Sequence, residues 1–180
     1  MDSFDQAIQE AQEKRAAPVA EAKKALAPTR AEATQVLREF NDLARTLRPR
    51  LQDAQVKFQR AAAMGVRPLQ LQMYLREVFG DGGIGPGILE GTPTGLRDLI
   101  NRIDGLTEWH VYQDIPARLP GLLPSLRAGR DSLEKLAAAI EDEVAALAEH
   151  IRRANGVPVV TAVEPPPEPT AIAVVTDFEP

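Results

Sequence analysis

The sequence predicts an elongated all-α protein in which one long helix, or a kinked coiled coil, folds back on a second helix. Apolar residues recur every three or four positions from Phe4 to Ala61 and again from Leu133 to Ile151, the spacing of one helix face. Hydrophobic residues make up 44% of the chain but aromatic ones only 4%. A core of this composition must be built by packing helix on helix. Short helices, Gly/Pro-rich loops and an extended C-terminal tail complete the predicted fold.

The first predicted unit, residues 1–64, is a long helical or coiled-coil segment. Ser3 is suited to capping its start and Gly65 to ending it. Sixty helical residues would extend about 90 Å, which is longer than a compact domain of this size is wide. Because each proline removes a backbone donor, breaks or kinks are expected at Pro18, Pro28 and Pro49.

The second unit, residues 65–124, is predicted to be a small helical region with a glycine-rich loop. Pro68 suits the first position of a helix in which Leu69, Met73 and either Leu75 or Tyr74 are buried. The run GDGGIGPG follows as a loop. A second short helix is expected at about residues 95–106, and its apolar face carries Leu96, Leu99, Ile100, Ile103 and Leu106.

One aromatic cluster lies near the end of this second unit. It contains Trp109 and Tyr112 together with Val111 and Ile115. Two interpretations stay open: these side chains form the core of the small region, or they anchor a protein partner, since Trp and Tyr dominate binding hot spots.

The third unit, residues 125–156, is predicted to be an amphipathic return helix. Leu133, Ile140 and Leu147 lie on its apolar face, and Asn155 with Gly156 provides a left-handed stop. We expect this helix to lie antiparallel to part of the first unit.

Thirty residues of return helix would leave about half of the long stripe uncovered, which predicts a homo-oligomer or a larger protein assembly. The strongest coiled-coil stretch is 33–61. Its predicted interface residues are Phe40, Leu43, Leu47, Leu51 and Phe58.

The fourth unit, residues 157–180, is a Pro-rich acidic tail with four acidic and no basic residues. Two β-prone pieces flank its PPPEP run, and a short strand on a tether can add to the sheet edge of a neighbouring protein. The residues predicted to dock in this way are Val159, Val160, Val174, Val175 and Phe178.

The sequence predicts no catalytic, cofactor-binding or metal-binding residue. The run from Gly80 to Gly85 matches GxGxxG, but it does not follow a strand or open a helix as a dinucleotide site requires. His110 and His150 lack further ligands at helical spacing, and the chain contains no cysteine. Basic residues are not concentrated on one face, so nucleic acid is not an expected partner.

These observations predict a non-enzymatic structural or assembly protein that oligomerises through its helices and docks to a neighbour by its tail. A bacteriophage virion component fits by architectural analogy. The alternative is a monomeric helical adaptor or chaperone that binds a partner helix. Because the start of the sequence lacks a signal peptide and no apolar run is long enough to span a membrane, the expected location is a virion or the bacterial cytoplasm.

Overall fold

A computed structural model describes residues 3–81, 85–107 and 114–156, and the predicted all-α class is confirmed. Between the second and third helices, two strands of two residues each form an antiparallel pair. The elements are α1 (Ser3–Ala63), α2 (Leu69–Phe79), β1 (Gly80–Asp81), β2 (Gly85–Pro86), α3 (Ile88–Asp104) and α4 (Asp114–Ala154).

The long helix α1 is continuous over 61 residues, so the breaks expected at its three prolines are absent. Each proline costs one backbone hydrogen bond, and the rest of a long helix retains its own. The predicted end at Gly65 is confirmed. Gly65 has a φ of 84°, its N–H donates to the Ala62 carbonyl, and the Val66 N–H donates to the Ala61 carbonyl at 2.9 Å. These two bonds form a Schellman motif.

The helices form a three-helix bundle whose middle helix is divided into α2 and α3. Lys23 and Arg30, near the start of α1, contact Asp104 at the end of α3, so α3 runs antiparallel to α1. Ion pairs join α1 to α4, and the residue numbers rise along both helices from one pair to the next. In two of these pairs the partners are 91 positions apart in sequence. These pairs are Glu32–Arg127, Glu39–Arg130 and Arg50–Glu141.

The helix α4 is therefore parallel to α1, and the antiparallel arrangement expected for the return helix was wrong. The chain travels back along α1 through α2 and α3 before α4 begins, so α4 can run only in the direction of α1. It starts at Asp114, eleven residues before the expected boundary at 125, and continues through Pro120 and Pro124. The stop at Gly156 is confirmed by its φ of 64°.

Two apolar clusters make up most of the core. One lies where α1, α2 and α4 meet and is centred on Phe40, Leu71 and Ile140, each fully buried. The other joins the amino-terminal half of α1 to α3 and to the start of α4, and contains Leu26 and Leu99. The predicted apolar faces of α3 and α4 are confirmed by Leu96, Leu99, Ile103, Leu133, Ile140 and Leu147, which are all buried.

The prediction for the buried face of α2 was wrong at Leu69 and Met73, whereas Leu75, one of its two further alternatives, is buried. Leu69 and Met73 are 70% and 53% exposed. The residues that α2 buries are Leu71, Leu75 and Val78, which are spaced by four and three positions and therefore share one side of the helix. No helix in the described ranges has the length and apolarity needed to cross a membrane.

Candidate protein-interaction surface

The residues predicted to meet another chain along 33–61 lie instead in the core of this chain. Phe40, Leu47 and Leu51 are buried, with exposed fractions of 0%, 7% and 1%, and Leu43 and Phe58 are partly buried against the same cluster. The expectation failed because it matched α1 against the return helix alone. In the bundle α2 and α3 also cover α1, so the predicted interface side of this stretch packs within the chain.

An uncovered length of helix does exist, at the other end of α1. Every residue from 3 to 18 is exposed, and Phe4 and Ile8, the largest apolar side chains there, are 69% and 41% exposed. The first buried residue of α1 is Leu26. We call residues 3–25 the amino-terminal arm. Its fully exposed part, residues 3–18, is about 24 Å long as a helix.

The charges of the arm are divided between its two halves. Residues 3–13 carry three acidic side chains and no basic one. Residues 14–25 carry four basic side chains and one acidic one. The net charges of the two halves are therefore −3 and +3, so the arm is negative toward its amino-terminal end and positive toward the bundle.

Asp104 holds the root of the arm against the bundle. The Arg30 guanidinium donates to both Asp104 carboxylate oxygens, at 2.5 and 2.9 Å, and the Lys23 ammonium donates to the Asp104 carbonyl at 3.0 Å. The hydrogen bonds from Arg30 hold the pKa of Asp104 below its ordinary value. The same contact raises the pKa of Arg30.

Replacing Asp104 by asparagine should increase hydrogen exchange in the root of the arm, from about residue 23 to residue 30. Because the folded-state pKa of Asp104 is lowered, its stabilising effect is present above the unfolded carboxyl pKa of about 4 and is lost as pH falls through the folded value. The Asp104→Asn variant should therefore lose part of the pH dependence of exchange measured below pH 5. Asp98→Asn, an exposed carboxylate on the same helix, is the control and should leave that dependence unchanged.

The tail begins at the opposite end of the bundle from the arm. Near the end of α4, Leu147 packs with Ala61 and Val66, at the carboxyl end of α1. The predicted docking residues of the tail, which are Val159, Val160, Val174, Val175 and Phe178, lie outside the described residues, as do Trp109 and Tyr112.

A second exposed apolar group was missed at the sequence level. Met64, Leu69 and Met73, from the turn after α1 and from α2, are 59%, 70% and 53% exposed. The spacing of Leu71, Leu75 and Val78 shows that α2 has a second apolar side, but the sequence contains no signal that selects this side over the one with Leu69 and Met73.

The grooves lined by described residues contain few groups with catalytic chemistry. The glycine hairpin borders a groove of about 480 Å³, and Arg45, Arg48 and Arg97 line another of about 450 Å³ between α1 and α3. No described histidine or serine lines either of them. Within the described ranges, no group of three His, Cys, Asp or Glu residues is placed to hold a metal ion.

Comparisons with protein-family models, with curated proteins and with solved structures find no match. The function is therefore inferred from this chain's own residues.

Proposed function

We propose that this protein is a non-enzymatic structural subunit that self-associates through its amino-terminal arm. The observation that supports this most directly is the exposure of every residue from 3 to 18 within a helix. Most helical stability in proteins comes from packing an apolar face, and the exposed residues 3–18 lack that packing in the described chain. Pro18 removes one more backbone hydrogen bond from the arm. A partner helix would supply the missing packing.

The arm lies at one end of the bundle, and the end of α4 lies at the other, separated by a body of about 60 Å along α1. The tail follows the end of α4 in sequence. A subunit of this shape can join one copy by its arm and a neighbouring protein by its tail. We propose that the tail docks by strand addition, and that the assembly is a bacteriophage particle or a comparable large bacterial structure.

Replacing Phe4 and Ile8 together by glutamine should abolish self-association. Glutamine keeps helix propensity close to that of the other long side chains, so the loss would come from the apolar face and not from the helix. Sedimentation equilibrium over a range of concentrations would measure the effect, and thermal unfolding of the dilute protein should be unchanged because neither side chain belongs to the core.

The matched control is the Leu69→Gln, Met73→Gln double variant. Leu69 and Phe4 are almost equally exposed, at 70% and 69%, so both double variants remove similar apolar surface from the protein. Self-association should survive in the control. If the control alone dissociates, the interface lies at the tail end of the bundle and the arm is not involved.

The adaptor alternative is favoured by one observation. Met64, Leu69 and Met73 are all exposed, and flexible methionine side chains suit a surface that accepts varied partner helices. This function requires a monomer whose sedimentation the arm substitutions do not change. Deleting residues 157–180 distinguishes the two functions further. A structural subunit without its tail would no longer be incorporated into its assembly, whereas an adaptor would still bind its partner helix.

A further inference from the structure

We propose that the arm pairs with the arm of a second copy in antiparallel orientation. This inference rests on the proposed self-association and adds the identity and direction of the partner. In the proposed register, each residue faces the partner residue whose number adds to its own to give 26 or 27, as 4 with 22 and 8 with 19. The twofold axis that relates the two copies therefore passes near residue 13.

Charge favours this orientation over the parallel one. Antiparallel pairing sets residues 3–13, with net charge −3, beside residues 14–25 of the partner, with net charge +3, and does so twice in a symmetric dimer. Parallel pairing sets each half beside its own like-charged copy. Oppositely charged flanking positions are the feature that selects partner orientation in helix pairs. Asp5 then lies near the partner's Lys23, on one flank of the paired helices.

The side chains along the arm also match in size when paired in this way. Phe4 faces the partner's Ala22, and Ile8 faces the partner's Val19. Large residues thus oppose small or medium ones, as close packing between helices requires. Phe4 and Ile8 are exposed in the single chain, and Val19 and Ala22 are only half-buried, so all four have surface left to contribute.

The position of the bundle on α1 gives a third, steric reason. From Leu26 onward, the face of α1 that continues from Phe4 and Ile8 is covered by α3 and α4. Two arms that pair antiparallel over residues 3–24 place their bundles at opposite ends of the shared segment. A parallel pair would bring both bundles to the same end, where α3 and α4 of each copy already occupy the space around α1.

Disulfide trapping with single-cysteine variants tests the orientation. The natural chain has no cysteine, so an introduced thiol is the only one present. In the antiparallel register, Val19→Cys of one copy faces Ile8→Cys of the other, and a mixture of the two variants should form a crosslinked heterodimer on oxidation. Neither variant should crosslink with itself, because the two copies of residue 19, or of residue 8, would lie about 17 Å apart along the axis, and a disulfide needs Cα atoms within about 7 Å.

A size tag on one variant identifies the crosslinked species on a non-reducing gel. Gln6→Cys and Ala17→Cys, on the opposite face of the arm, form the control mixture and should not crosslink. Circular dichroism of each variant checks that the helix content is retained.

The remaining outcomes distinguish failure of the antiparallel orientation from failure of self-association itself. Efficient crosslinking of Val19→Cys with itself would overturn the antiparallel orientation and leave self-association intact. A dimer in sedimentation that crosslinks in none of these combinations would show that the arm is not the interface. A chain that stays monomeric at all concentrations would overturn the proposed function as well.

Discussion

Replacing Phe40 by alanine should lower the free energy of unfolding by about 3 to 5 kcal/mol, the range for large aromatic side chains removed from a core. Phe40 has no exposed surface and packs in the cluster where α1, α2 and α4 meet. Its removal leaves a cavity between three helices, each anchored by other contacts, so the structure can close it only in part. Urea denaturation followed by circular dichroism would measure the loss.

The control for this experiment is Val56→Ala on the same helix. Val56 is 45% exposed, so its truncation should cost less than about 1 kcal/mol.

The concentration dependence of the Phe40→Ala result shows whether Phe40 packs within one chain or between chains. An effect present only at concentrations where the chain associates would place Phe40 between chains, as the periodicity of the sequence alone predicted, and would contradict the bundle.

Replacing Gly129 by alanine should destabilise the protein by about 1 to 3 kcal/mol, although alanine is the better helix former. A Cβ at Gly129 would meet the Thr92 side chain on α3, including its Oγ1 and, at 3.3 Å, its Cγ2. Thr92 is buried and β-branched, so it has little freedom to move away. The close approach of α3 and α4 therefore requires glycine at this position.

Gly121→Ala, in the same helix, provides the matched comparison. A Cβ there meets nothing within 4 Å, so alanine should stabilise the protein by about 0.5 to 1 kcal/mol through helix propensity alone. Thermal unfolding of the two variants side by side isolates the packing contribution, because the propensity gain is common to both. Equal stabilisation by the two substitutions would contradict the contact between Gly129 and Thr92.

Local features of the fold could be predicted from neighbouring residues. The end of α1 at Gly65 and the stop at Gly156 both follow from glycine's access to positive φ. The buried faces of α3 and α4 follow from the spacing of Leu99, Ile103, Leu133 and Ile140. The face of α2 could not be chosen in the same way, because apolar residues occur on both of its sides and only contact with α1 and α4 selects one.

The start of α3 was placed late for a related reason. Gly91, Pro93 and Gly95 resemble loop residues, yet all three lie within α3, which begins at Ile88. Tertiary packing overrides their low helix propensity, since Thr92 and Pro93 are both buried.

An uncovered stretch of apolar helix was predicted, but its position along α1 was wrong. The excess of apolar helix over covering helix was recognised from the length of the stripe. Its location was assigned to Phe40, Leu43, Leu47, Leu51 and Phe58, all of which are core or border the core, whereas the exposed part carries Phe4 and Ile8.

The sequence by itself determined that the chain is helical, where most of its helices end, and which side of α3 and α4 is apolar, because these properties depend on residues within a few positions of one another. Only the tertiary structure decided that α4 runs parallel to α1 and that the bundle covers α1 from Leu26 onward. The physical reason is that an apolar helix face gains the same burial from a helix of its own chain as from another chain. Which one covers it depends on the path of the whole polypeptide through α2 and α3.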